Sequence, residues 1–272
     1  MKMINFLIFS NLLVSCSSGT LAMAVAHQFG NPHPFGIGFT VFFATLFVYN
    51  FQRIARRKEM RKFSSIRHEW IAKNINLNKI LAVIGLLGAI VLYFFVLGFK
   101  SDFWLLAFSA VVGVLYVFQT KKFSLALRDI PYMKIYLIAL QWSLVAVIWP
   151  YMRLGLHLDF PFQLFLTVFF FVLAATVPFD IRDLVYDSPR KRTIPQIFGV
   201  GKAKLVALIF LALSGVFYLN FVEKSTAFTL FFLCYSVMAL FIIGSSKDRN
   251  EIYYSGGIDG WIMVFAFLIY GS

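Results

Sequence analysis

Nine apolar runs, each near the length of a helical membrane crossing, leave this chain few folds to choose from. They cover residues 4–26, 35–50, 80–97, 103–118, 135–150, 160–178, 205–221, 227–243 and 258–270. A helix needs about 20 residues to cross roughly 30 Å of hydrocarbon, so the shorter runs are predicted to continue into their polar flanks. The chain is 60% hydrophobic and only 14% charged, which excludes an ordinary soluble domain. The fold class predicted is an all-α polytopic membrane bundle, one domain spanning 1–272. Its 34 Phe and 12 Tyr exceed what interfacial belts require, so some rings are expected to line an interior surface.

The basic residues orient the bundle. All of the 25 Lys and Arg except Lys100, Arg153 and Lys224 fall on one side of the nine runs. By the positive-inside rule the N-terminus is then cytoplasmic and the C-terminus outside. That asymmetry also accounts for the net charge of +13 without a nucleic-acid partner. Lys2 and the first apolar run imitate a signal peptide, and Leu13-Val-Ser-Cys16 a lipoprotein processing site. The sequence beyond Cys16 stays small and apolar, so a retained, closely packing helix is the reading adopted. Short loops and no organelle-targeting segment suggest a bacterial inner membrane. The polar segment 51–79 either extends the second span as a helix, breaking near 74–78, or lies on the membrane surface.

Cys16 and Cys234 have no redox or metal spacing and the four histidines are scattered, so zinc and haem sites find no support. The chemistry concentrates after the sixth run, where Asp180, Asp183 and Asp187 stand beside Arg182, Arg190, Lys191 and Arg192. On a helix, offsets of three and seven fall within roughly 60° of each other, so all three acids share a face. Mixed charge beside an apolar span usually marks a site. A divalent metal with a phosphate-bearing ligand would satisfy both signs. The alternative is a solvated loop whose charges fix topology.

Nine spans with Asp-x-x-Asp-x-x-x-Asp after the sixth, followed by Thr193-Ile-Pro195 and Phe198-Gly199, resemble the UbiA-type intramembrane prenyltransferases. The long basic loop after span two and Tyr254-Ser-Gly-Gly-Ile-Asp259-Gly260 are similar to the family too. The resemblance implies nine helices around a central cavity opening near the cytoplasmic face. It also implies transfer of a polyprenyl group from its diphosphate to a lipophilic acceptor, with Mg²⁺ held by Asp180, Asp183 and Asp187. Substrate contacts are then expected at Asn50, Arg53, Arg182, Lys191, Arg192, Thr193 and Asp259. The family's first motif, Asn-Asp-x-x-Asp-x-x-x-Asp after span two, is missing its acids: Asn50 is present, but Phe51, Ile54 and Lys58 hold the aspartate positions. Arg53, Arg56 or Arg57 could bind diphosphate there directly. Equally, 50–57 could be a helix end with cations reaching the interface. Tyr49, Tyr116, Trp142, Trp149 and Tyr186 are candidates to face an allylic cation, and Asp259 could instead cap a helix. Two other functions are weighed: an accessory protein that binds an isoprenoid diphosphate without turnover, and a transporter, against which the sequence shows no pair of Gly/Pro-broken spans in matching halves.

Overall fold

The computed structural model describes residues 2–57, 65–118, 126–155, 160–222 and 228–272. Lys58, Lys121, Lys122 and Lys224 lie outside them. Among the described residues the fold is helical throughout, with no strand. The helices are α1 (Lys2–Phe9), α2 (Leu12–Gln28), α3 (Pro34–Ala55), α4 (Ile66–Lys73), α5 (Ile75–Val91) and α6 (Phe103–Leu115). They continue with α7 (Met133–Ser143), α8 (Trp149–Arg153), α9 (Phe162–Arg182), α10 (Ile194–Phe221), α11 (Phe228–Gly244) and α12 (Asp259–Tyr270). Wider π-helical turns at Leu92–Leu97, Leu144–Ile148 and Ile252–Ile258 extend α5, join α7 to α8 and lead into α12.

Six helical stretches among the described residues are long and apolar enough to cross a membrane, and a seventh arises if α1 and α2 are one span bent by 62°. α6 and α11 are apolar but shorter. The nine runs of the sequence therefore all become helices, while six or seven meet the length and apolarity of a full crossing. The outward faces carry large apolar side chains such as Phe95, Leu240 and Phe232. This is the surface of an integral membrane protein, which meets lipid rather than water.

The packing follows from small residues. α2 lies against α3 where Gly19 meets Gly38; a Cβ on Gly19 would stand 2.8 Å from the Gly38 carbonyl oxygen. At Gly85 in α5 a Cβ would meet the Phe43 carbonyl of α3 at 2.7 Å. Without hydrophobic driving force in lipid, such close backbone approach is what holds spans together. α12 packs on α2, and α9 on both α10 and α7, so α3, α7, α9 and α12 surround the centre.

Polar clamps fix both ends. Asn11 takes the left-handed conformation (φ 64°) and breaks α1 from α2. Asn50 of α3 secures that break: its Oδ1 accepts from Asn11 Nδ2 at 3.2 Å and Asn78 Nδ2 at 2.7 Å. Its Nδ2 donates to the carbonyls of Ser10 (3.1 Å) and Leu46 (2.9 Å). At the other end Asp102 accepts from Tyr93 Oη (2.9 Å), Trp149 Nε1 (2.9 Å) and Arg153 (3.0 Å). Trp149 is consequently a buried structural residue, not a cavity wall, because its one donor and its ring are committed there.

The segment 51–79 carries the end of α3, all of α4 and the start of α5, with a break at Asn74. α3 extends through Ala55, and a separate helix, α4, begins at Ser65, whose side chain caps it by accepting from His68 N–H. α4 turns Arg67, His68 and Ile71 inward and sets Trp70 against Phe9 of α1.

Candidate functional site

A cavity of about 580 Å³ opens among these helices, lined along α3 from Thr40 to Arg56. At 1.5 Å per helical residue that is a trough of roughly 24 Å. One end is apolar and aromatic, with Phe47, Leu86, Ile90, Tyr93, Phe94 and Phe103. The other is charged. Its cations are Arg53, Arg56, Arg67, Arg128, Lys134 and Arg182, and its carboxylates Asp180, Asp183, Asp187 and Asp259. Glu251 and Asp129 pair with Arg67, Arg182 and Arg128 from outside this lining, while Arg53 pairs with no described acid, so the charged end favours an added anion beside Arg53.

The three acids after span six do converge, though not as one helical face. α9 ends at Arg182, Asp183 is its C-cap, and a single 3₁₀ turn carries the chain on towards Asp187. What gathers them is Lys134. Its Nζ stands 2.8 Å from Asp180 Oδ1, 2.8 Å from Asp187 Oδ2 and 3.8 Å from Asp183 Oδ2. Lys134 occupies the second residue of α7, whose N-cap Tyr132 adopts φ 67°. A cation in a helix's first turn opposes the macrodipole, so the carboxylates are what stabilise it there.

Asp183 and Asp187 have further partners. Arg182 forks onto Asp183 at 2.8 and 3.1 Å and reaches Glu251 at 3.0 Å. Arg67 approaches the same two acids at 3.7 and 3.4 Å. Lys191 meets Asp187 at 2.7 Å, and Arg128 meets it at 3.7 Å. Burial would raise the Asp187 carboxyl, but the Lys134 and Lys191 ammoniums outweigh it and hold the group below the usual carboxylate range. Burial, then the neighbouring Arg182 guanidinium, pull Arg67 below its ordinary value. Burial, reinforced by Arg67 and Arg53, lowers His68 to about 4, so this cavity-lining imidazole is neutral.

These donors do not fit Mg²⁺. Among the described residues no three Asp, Glu, His or Cys side chains are placed to hold a metal ion. The point on which Asp180 and Asp187 converge is filled by an ammonium at hydrogen-bond distance, where Mg²⁺ requires oxygens at roughly 2.0–2.1 Å. In this structure Asp180, Asp183 and Asp187, the expected metal ligands, are engaged by ion pairs within the chain.

The other expected contacts sort clearly. Arg53, Arg182 and Asp259 line the cavity. Asn50 does not; all its hydrogen-bonding capacity is spent on the α1–α2 break and α5. Lys191 is buried behind Asp187, and Arg192 is exposed in a left-handed turn (φ 47°). Thr193 caps α10 in a capping box, its N–H donating to Gln196 Oε1 at 3.0 Å with Pro195 in the first turn. The Thr-Ile-Pro segment therefore starts a helix instead of touching the cavity. Gly199 (φ 78°) kinks that helix before its long apolar stretch. Asp259 opens α12 without capping it, since the preceding π turn is continuous with the helix. Tyr49, Tyr116, Trp142 and Tyr186 all line the cavity, Trp142 donating to Tyr49 Oη at 3.4 Å.

Sequence reading missed Lys134, Arg67, His68 and Glu251 as site residues. Lys134 had one signal: a lone cation entering an apolar helix at its N-terminal turn, against the dipole. Arg67 and His68 had none, because they reach the site on the inward face of α4, a short separate helix far from the aspartates in sequence.

No family model matches the chain, and no curated protein matches it. Solved structures do. A UbiA homolog from Archaeoglobus fulgidus bound to DMAPP and Mg²⁺ superposes with a TM-score of 0.63 at 14% identity, covering 97% of this chain and 99% of that one. The same homolog bound to GPP and Mg²⁺ gives 0.62 at 13% identity, with 97% and 100% covered. Bound to Cd²⁺ it gives 0.60 at 13% identity. Over essentially its whole length, this chain has the UbiA fold.

Proposed function

We propose that this chain is an intramembrane prenyltransferase-like protein that takes an isoprenoid diphosphate into the cavity and transfers its prenyl group to a lipophilic acceptor. One observation carries the reading: a largely apolar, ring-lined trough ends in six cations facing four carboxylates. That pattern matches a ligand with a long hydrocarbon tail and a doubly phosphorylated head. The structural neighbours bound to GPP and DMAPP support the ligand class. Nine crossings, with the charged end cytoplasmic, complete the reading; the basic-residue asymmetry supports that orientation.

In this reading the diphosphate sits among Arg53, Arg56, Arg67 and Arg182, whose guanidinium forks suit phosphate oxygens. The allylic C–O bond breaks and its electron pair leaves with the diphosphate, where the arginines take up the developing charge. Tyr49, Trp142 and Tyr186 supply electron-rich faces for the allylic cation. The acceptor's nucleophilic atom bonds to that carbon and its proton passes to Asp259. Among the described residues Asp259 is a cavity carboxylate with no side-chain cation within salt-bridge distance. No step is routed through Mg²⁺.

Purified protein in detergent, given labelled geranyl diphosphate and lipid-extract acceptors, should release diphosphate and form prenylated lipid. Asp259→Asn should leave geranyl diphosphate affinity within about twofold while transfer falls by roughly 10²–10⁴, the usual weight of a general base. The second reading, binding without turnover, is favoured by the missing acids at Phe51 and Ile54 and by Lys134 within the aspartates. It predicts tight binding with no diphosphate release. If the wild type neither binds nor releases diphosphate, both readings fall.

A further inference from the structure

We propose that the Lys134 ammonium is this chain's built-in substitute for a divalent cation, so that an anionic headgroup binds the cavity arginines without any metal. The ligand class rests on the reading above; the substitution rests on geometry alone.

Lys134 bridges Asp180 and Asp187 with two 2.8 Å contacts and lies 3.8 Å from Asp183. Carboxylates that would surround a metal thus surround a covalently tethered cation. An incoming Mg²⁺ would have to displace it, shed water reluctantly and enter a zone already crowded with positive charge. Asp183 is forked by Arg182 at 2.8 and 3.1 Å, and Asp187 is held by Lys191 at 2.7 Å. Asp183 and Asp187 are each held by a second cation, and Asp180, which has Lys134 as its ion-pair partner, is 2% exposed. The acids missing at Phe51 and Ile54 belong to the same arrangement, since in their place α3 carries Arg53 and Arg56 into the cavity. Arg53 forms no ion pair with any described acid, so its guanidinium is available to a phosphate oxygen. The charges a metal site would divide between ion and protein are here all supplied by side chains.

The test uses the full chain in detergent with two probes. With Mn²⁺ alone, the wild type should leave the electron paramagnetic resonance signal of the aqueous ion unchanged, while Lys134→Ala, which removes the cation from between Asp180 and Asp187, should diminish it by binding. With geranyl diphosphate, wild-type affinity should be the same within about twofold in EDTA and in Mg²⁺. Stoichiometric Mn²⁺ binding by the wild type that disappears in Asp180→Asn would overturn the proposal. So would geranyl diphosphate binding that EDTA abolishes and Mg²⁺ restores. Both of those measurements use protein with Lys134 intact, so they decide the question even if Lys134→Ala does not fold. If the wild type binds no geranyl diphosphate in either buffer, the ligand class is wrong, and the Mn²⁺ result still decides whether lysine has replaced the metal.

Discussion

Asn50 and Arg53 stand one helical turn apart on α3, yet the chain uses them for different things. Asn50 makes four buried hydrogen bonds that tie the α1–α2 break to α3 and α5. Asn50→Leu would strand the Asn11 and Asn78 amides and the Ser10 carbonyl in a dry interior. Its thermal unfolding in detergent should report a loss of about 2–4 kcal/mol, with the ligand affinity of the folded fraction unchanged. Arg53 lines the cavity, and Arg53→Gln should do the reverse: little change in melting temperature and a fall in geranyl diphosphate affinity of roughly tenfold or more, measured by titration. His68 offers a pH readout at the same scale. Its Nδ1 lies 2.6 Å from Ser65 Oγ and its ring packs on Tyr186, while burial and then Arg67 lower it from 6.5 to about 4. Between those values the unfolded chain binds the proton and the folded chain does not, so stability falls as pH drops from about 6.5 to about 4 and is insensitive to this group above that window. Acid titrations of thermal stability should show a shallower slope there in His68→Gln.

Among the helices, α3 is the one on which the site is built, and its neighbours approach it through glycine. Gly85→Leu would drive a side chain into the backbone of Phe43 and Phe47, separating α5 from α3. Overpacking of this kind costs about 1–3 kcal/mol or more, and a lower melting temperature in detergent should report it. α4 shows how a short element can matter without crossing anything. Eight residues long and capped by Ser65, it delivers Arg67 to Asp183 and Glu251 and His68 to the cavity. The π turn at Ile252–Ile258 performs a similar task, bringing Ser255 and Asp259 to the cavity wall and Glu251 to Arg182.

For the whole molecule, the asymmetry of Lys and Arg predicts that the charged end of the cavity is the cytoplasmic one. The Lys100–Asp102–Arg153 group closes one end of the cavity and the Arg53–Asp187 cluster the other. With Cys16 and Cys234 replaced by serine, Lys100→Cys in intact spheroplasts should react with a membrane-impermeant maleimide, and Arg190→Cys should react only after permeabilisation. Both positions are exposed. The opposite labelling pattern would reverse the orientation.

By itself the sequence determined that the chain is a helical membrane protein and where its helices lie, because apolar length and the backbone's need for internal hydrogen bonds act locally. It also determined that Asp180, Asp183 and Asp187 form the polar centre, since acids are few in a chain with 12 Asp and Glu. Only the tertiary structure decided what those acids face. Lys134 lies some fifty residues away on another helix, Arg67 more than a hundred, and no local spacing links them to the aspartates. The same holds for Asn50, which a linear motif assigns to a ligand and three-dimensional packing assigns to a helix break. Hydropathy is a property of a segment, whereas the partner of a buried charge is chosen by whichever helices happen to meet around it.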